Sequence, residues 1–229
     1  MKTIGLIGGT TWVSTLEYYR LINEEINKNL GGLNAAKCIL YSFNYADIDK
    51  LNKSDDHGEI IRLVINAAHK LEKASADSLV LCANTMHMYT DELLKSTTLP
   101  LIHIADATAA EIKKQGLTHI GLLGTRWTME KNFYTKKLSE AGIKTIVPEK
   151  PEREFIHKSI MEEFAKGIFL EETKEKFLKI INDLEQKDAR GIVLGCTEIP
   201  LLIKQTDVHL PIFNTLELHA KATVEFALS

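Results

Sequence analysis

Cysteine is scarce: the 229 residues hold three, Cys38, Cys82 and Cys196. An odd, sparse set is a poor disulfide framework. No Cys-x-x-Cys pair and no Cys/His ligand spacing occurs, so no metal site is expected. What remains is inert buried thiols or reactive thiolates in a reducing compartment, and a cytoplasmic location is the expectation. A basic surplus is missing too. Lys+Arg number 28 against 31 Asp+Glu, a formal charge of -3, which leaves no electrostatic footprint for nucleic acid. No apolar run approaches the roughly 20 residues of a membrane helix. The opening stretch Met1–Trp12 carries one lysine and a short apolar run that breaks at Gly8-Gly9, with no small-residue cleavage site, so it reads as a first strand and not a signal peptide. Gly5, Gly8 and Gly9 do not fit Gly-x-Gly-x-x-Gly, and no Gly-Lys-Ser/Thr follows, which sets aside dinucleotides and nucleoside triphosphates.

What is present is alternation. Lys2–Ile7, Lys37–Ser42, Ser78–Cys82, Ile120–Leu123, Lys144–Val147 and Gly191–Leu194 are short β-like runs. Ser78–Cys82 is nearly continuous in apolar residues, as expected of a strand covered on both faces. Between the runs lie helical patterns: Trp12–Asn27, Gly58–Lys73, a helix from Met129, Glu152–Ala165, Glu171–Leu184 and a closing Leu216–Leu228. This is the signature of βαβ units and parallel sheets.

The chain also repeats itself. Ile4-Gly-Leu-Ile-Gly-Gly-Thr10 resembles Ile120-Gly-Leu-Leu-Gly-Thr-Arg126; Val80-Leu-Cys-Ala-Asn-Thr85 matches Val193-Leu-Gly-Cys-Thr-Glu198; Leu99-Pro-Leu-Ile102 matches Leu210-Pro-Ile-Phe213. Three landmarks in the same order at nearly the same spacing imply an α/β protein of two similar parallel-sheet subdomains related by a pseudo-twofold axis. The expected boundaries are 1–101 plus 214–229 for the first and 102–213 for the second. Ligands of open α/β sheets bind beyond the carboxyl ends of strands, so a site between the two halves is expected.

The matched segments end in polar tips: Gly8, Gly9, Thr10 and Thr11; Asn84 and Thr85; Gly124 and Thr125; Cys196 and Thr197. Backbone N–H groups with hydroxyls and an amide suit a carboxylate; each Thr or Asn taken alone is equally a helix cap. Four such tips favour a shared anion site. Cysteine at a strand-to-helix junction has its own meaning, because a helix N-terminus lowers the thiol pKa and favours the thiolate. Cys196 fits this and is expected to be reactive. Cys82 lies at nearly the corresponding place, and Cys38, within a strand-like run, reads as core.

Cys82–His87 (CANTMH) and Gly195–Leu202 (GCTEIPLL) resemble the two signature segments of aspartate/glutamate racemases. Ile4–Thr15, Leu122–Tyr134, the HIADATAAEI stretch and the closing helix resemble the same family, so the likeness spans essentially the whole chain. The resemblance implies two α/β subdomains with the active site at their interface, commonly in a homodimer, and no pyridoxal phosphate or metal. It implies Cys196 and Cys82 as catalytic acid/base groups acting on the α-carbon of an amino acid, with Thr10, Asn84, Thr85 and Thr197 as carboxylate donors and Thr125 and Ala83 beside them. The physical logic is that a Cα proton is very weakly acidic. Removing it from one face and returning one to the other takes one ionised and one protonated group, each tuned toward working pH. It also takes preorganised donors for the charge that develops on the carboxylate.

Three departures stand out. The simplest family motif is Cys-Asn-Thr, whereas here Ala83 intervenes after Cys82. By the internal repeat Cys196 pairs with Ala83, and Cys82 with Gly195. If the backbone follows the repeat, Cys82 points away and Ala83 faces the substrate; if it bulges, Cys82 reaches. The resemblance also implies Asn52 as a substrate-binding position, but where dicarboxylate racemases carry basic residues near positions 52 and 165 this chain has Asn52 and Ala165. Lys53 and Lys166 are adjacent, but one helical position turns a side chain by about 100°. A neutral or longer amino acid is therefore expected in place of aspartate. Arg126 either grips a carboxylate or sits in a salt bridge at the seam. His87 touches substrate or lies on a helix surface, and for Trp12 and Trp127 packing is the default. Three functions compete: a racemase, a single-cysteine decarboxylase or isomerase of the same superfamily, and a non-enzymatic carboxylate binder.

Overall fold

Apolar runs too short for helices become the inner strands of two parallel sheets in the computed structural model, which describes residues 1–229. In chain order the elements are β1 (Ile4–Gly8), α1 (Trp12–Leu30), β2 (Cys38–Ser42), α2 (Tyr45–Lys53), α3 (His57–Lys73), β3 (Ser78–Leu81), a 3-10 turn at Thr85–Tyr89, α4 (Thr90–Leu94) and β4 (Leu101–Ile102). There follow α5 (Ile104–Lys114), β5 (His119–Gly124), α6 (Arg126–Glu130), α7 (Asn132–Glu140), β6 (Lys144–Ile146), α8 (Lys150–Glu162), a 3-10 turn at Phe164–Lys166 and α9 (Glu171–Gln186). The chain closes with β7 (Ile192–Gly195), α10 (Ile199–Leu202), β8 (Ile212–Asn214) and α11 (Thr215–Leu228). It divides into two units, Met1–His103 with His219–Ser229, and Ile104–Leu218, the second division falling inside α11.

The sheets have the same order, β2-β1-β3-β4 and β6-β5-β7-β8. The internal repeat is thus structural: β1 corresponds to β5, β3 to β7 and β4 to β8. The central strands β1, β3 and β7 are buried along their whole length, which is why they read as unbroken apolar runs, whereas β2 and β4 lie at the edge and are partly exposed.

In the first unit, α3 lays Ile60, Val64, Ala67, Ala68 and Leu71 against Leu79 and Leu81. The spacing follows the helical period, and Asp56 caps the helix by accepting from the Glu59 N–H at 3.0 Å. In the second unit, α8 and α9 bring Ile156, Phe177, Ile181 and Leu184 onto Ile192 and Leu194. The opposite face takes Val193 with Ile104, Ile112 and Tyr134.

The helix expected from Met129 begins earlier. Thr125 accepts from the Thr128 N–H at 3.3 Å and starts α6. Lys131, with extended backbone (φ -86, ψ 152), then breaks the helix before α7. Cys38 opens an edge strand and is only half-buried.

Candidate active site

The carboxyl ends of β1 and β3 form one polar tip region in the first unit. Gly9 has φ +81, and a Cβ there would lie 2.2 Å from the Phe43 carbonyl oxygen, so only glycine fits. Thr15 Oγ1 accepts from the Gly9 N–H at 2.8 Å, and Thr11 caps α1 by accepting from Ser14 N–H at 3.2 Å. Thr11 is therefore a cap, whereas Thr10 is not: its Oγ1 is buried and makes no hydrogen bond. A hydroxyl in that state is costly unless something docks on it, which suits a substrate donor. Asn84 is buried and Thr85 half-buried, and Thr85 opens the 3-10 turn that leaves the β3 tip.

Side-chain alternation fixes the register of the two cysteine tips. Leu79 and Leu81 face α3, and Ala83 continues on that face. Ile192 and Leu194 face α9, and Cys196 continues on that face. Ala83 is therefore the structural counterpart of Cys196, as the repeat predicted, and Cys82 alternates away from it. Cys82 is 0% exposed. Its N–H donates to the Ile7 carbonyl at 2.9 Å, its carbonyl accepts from Ser14 Oγ at 2.7 Å, and its Sγ lies 3.9 Å from the Val80 carbonyl oxygen. Burial, and then Cys38, push this thiol well up.

Cys196 is 6% exposed and has a polar partner. Its Sγ donates to Glu198 Oε2 at 3.0 Å, and Thr197 Oγ1 donates to the same oxygen at 2.8 Å. This corrects the thiolate expectation. Burial, the Glu198 charge and the hydrogen bond to it raise the thiol well above its ordinary value, while the Glu198 and Ile199 N–H groups pull the other way. The balance follows from magnitudes. A helix terminus contributes about 0.3–1 kcal/mol, and α10 has only four residues; desolvating a charge costs several kcal/mol. Cys196 rests as a thiol.

Glu198 escaped the sequence reading although it stands in the quoted signature. The one available signal was a carboxylate embedded in an apolar run, and Gly191–Pro200 is indeed buried throughout. A second omission is a cluster of buried histidines in the first unit. His87 Nδ1–H donates to the Ala83 carbonyl at 3.1 Å, and its ring lies 4.6 Å from His103 and 5.4 Å from His219. His87 is thus buried, not on a helix surface.

The remaining positions separate. Thr125 caps α6 and shares its hydroxyl with Thr128 at 3.1 Å. Asn52 is half-buried on α2, and Lys53 is turned outward into a 2.6 Å ion pair with Asp49. Ala165 is half-buried in the second 3-10 turn, with Lys166 exposed. Arg126 has no ion pair; its guanidinium lies over the Trp127 ring at 5.5 Å, and Trp127 meets His157 edge-on at 5.1 Å. Trp12 is 69% exposed, against the packing default; it sits at the first turn of α1, where its neighbours Leu16 and Tyr19 are exposed as well.

The two repeated α/β units and the similarity to known proteins together define an enzyme of the amino-acid racemase class. Residues 7–223 match the model of the Asp/Glu/Hydantoin racemase family, and the chain belongs to that family. It is 25% identical over 240 residues to the broad specificity amino-acid racemase RacX of Bacillus subtilis, covering 99% of this chain and 98% of that protein. A provisionally assigned Asp/Glu racemase from Yersinia pestis shares 44% identity over 100% of both chains with a TM-score of 0.94. An aspartate racemase homologue from Pyrococcus horikoshii shares 37% over 100% of both, with a TM-score of 0.85.

Proposed function

We propose that this protein inverts the α-carbon of an amino acid by cysteine-based acid/base chemistry without a cofactor, with Cys196 exchanging the proton. The observation that carries the reading is Cys196 itself: a buried thiol at the carboxyl end of a central strand, hydrogen-bonded to a buried carboxylate. Thr10, whose hydroxyl has no protein partner, Asn84 and Thr85 are the proposed carboxylate donors; Thr197 joins them through its backbone N–H, its hydroxyl proton being given to Glu198 Oε2, with Thr125 and Ala83 beside them. The substrate is a neutral or longer amino acid. Asn52 and Ala165 supply no charge for a second carboxylate, and Lys53 is engaged by Asp49. The broad specificity of RacX is consistent with this. We further propose a homodimer and a cytoplasmic location. The exposed row Trp12, Leu16 and Tyr19 supports the first, and three free cysteines support the second. No helix is long and apolar enough to cross a membrane.

In the family's two-thiol scheme Cys82 is the opposing base. Its complete burial, with Ala83 on the matched face, favours a second reading in which one cysteine protonates a carbanion on one side only, as in a decarboxylase or isomerase. Incubating a panel of amino acids in D2O decides between them. Racemisation predicts Cα deuterium in both enantiomers and loss of optical rotation, reduced at least about 100-fold in Cys196→Ala. Stereospecific label without racemic product favours the second reading, and no label in any amino acid refutes the first.

A further inference from the structure

A base must begin without its proton, yet Cys196 rests protonated and donates to Glu198 Oε2 at 3.0 Å. That oxygen also accepts from Thr197 Oγ1 at 2.8 Å. Glu198 is 4% exposed and Cys196 6%. A carboxylate so buried is costly unless donors satisfy it, and two side-chain donors meeting on one oxygen help satisfy it here. The contact between Sγ and Oε2 is direct, so a proton can pass along it without any rearrangement.

We propose that Cys196 and Glu198 act as one proton-sharing pair, in which Glu198 takes the thiol proton as Sγ takes the proton of the substrate. The inference rests on the reading that Cys196 meets the substrate α-carbon. At rest the pair holds one proton and one negative charge. When the Cα–H bond breaks, its electron pair stays on carbon and delocalises into the substrate carboxylate. The released proton bonds to Sγ, and the proton that Sγ carried moves to Oε2. The pair is then neutral and holds two protons. In the reverse step Sγ–H breaks to reprotonate the carbon, and Oε2–H returns its proton to sulfur. Atoms and charge balance, and no free thiolate forms in either direction. Thr197 is a positioning residue that holds Oε2 against Sγ.

The test compares Glu198→Gln with the wild type by two readouts: Cα deuterium exchange in D2O, and iodoacetamide alkylation of Cys196 followed by peptide mass spectrometry. Glutamine keeps the shape but cannot take a proton, and it removes the negative charge that, next to burial, holds the thiol protonated. Exchange is expected to fall at least about 100-fold while Cys196 alkylation becomes several-fold faster and buried Cys82 stays unreactive. Exchange retained within about threefold would mean that the thiolate alone is the base, and loss of both readouts together would make Glu198 an activator of the thiolate; either overturns the pair. Should Cys82 become reactive too, Glu198→Asp decides. Exchange above that of Glu198→Gln upholds the pair, and equality with it overturns it. Absence of exchange in the wild type, with alkylation still accelerated in Glu198→Gln, would refute the racemase reading but uphold the shared proton.

Discussion

Ala83 is one methyl group where the second half of the molecule has a thiol, and the difference has a direct consequence. Cys82 is turned into the unit and fully buried, which under the proposed chemistry leaves the proton exchange to Cys196. Cys82→Ala is therefore expected to keep racemisation within about threefold, while costing about 1 kcal/mol of stability as an ordinary core truncation. Ala83→Cys is expected to raise racemisation several-fold by placing a thiol on the face that carries Cys196 in the repeat. Steady-state rates with both enantiomers of one substrate check both, and a large loss in Cys82→Ala would return that thiol to the chemistry. The one-residue offset that underlies this was legible from the paired motifs, and side-chain alternation would carry it to the opposite face; whether the chain bulged there instead was not, because an inserted residue can be absorbed either way. Nor was the protonation state of Cys196 legible. It depends on where the Glu198 carboxylate folds back, and residue order does not fix a χ angle.

The elements were legible to different degrees for physical reasons. Long amphipathic helices such as α3 and α9, and central strands such as β3 and β7, announce themselves by period or by unbroken apolarity. The two- and three-residue edge strands β4 and β8 do not, nor does α2, whose one fully buried residue is Ile48. The break between α6 and α7 was invisible because no glycine or proline marks it. Least legible was the anchoring of the last helix. His219 on α11 accepts at Nδ1 from the Tyr18 hydroxyl on α1 at 2.7 Å and donates from Nε2 to the Ile102 carbonyl at the end of β4 at 2.8 Å. One buried ring thus ties together three segments separated by up to 201 residues. Tyr18→Phe keeps the aromatic packing and strands the imidazole acceptor. It should cost about 1–3 kcal/mol, read as a lower urea midpoint with unchanged slope. An unaltered midpoint would show that the bond contributes nothing net.

At the scale of the whole molecule, buried neutral groups of two kinds shape stability against pH. Burial lowers His219 to about 4, with His103 adding to it, and lowers His87 as well. In the unfolded chain histidine titrates near 6.5. Below that pH the unfolded state binds protons that the folded state refuses, so stability is fully present above about 6.5 and is lost as pH falls toward 4. For His219 alone the loss is about 2 kcal/mol by pH 5. Cys82 and Cys196 act with the opposite sign. Both thiols are raised in the fold, so their stabilisation is complete below the unfolded value of about 8.5 and fades as pH climbs above it. The carboxylates held low by ion pairs or hydrogen bonds, such as Glu72 and Asp207, enter only at more acid pH. Stability should therefore peak between about pH 6.5 and 8.5. Scanning calorimetry at pH 7.5, 5 and 9.5 should give a Tm at pH 5 at least about 4 °C below that at pH 7.5, with a fall at pH 9.5 as well. His219→Gln should lower the Tm at pH 7.5 yet flatten the acid limb, because it removes the group whose charging drives that limb. A Tm unchanged from pH 7.5 to 5 in the wild type would mean that the histidines take up protons in place, and that the cluster behind Ala83 opens to water without unfolding.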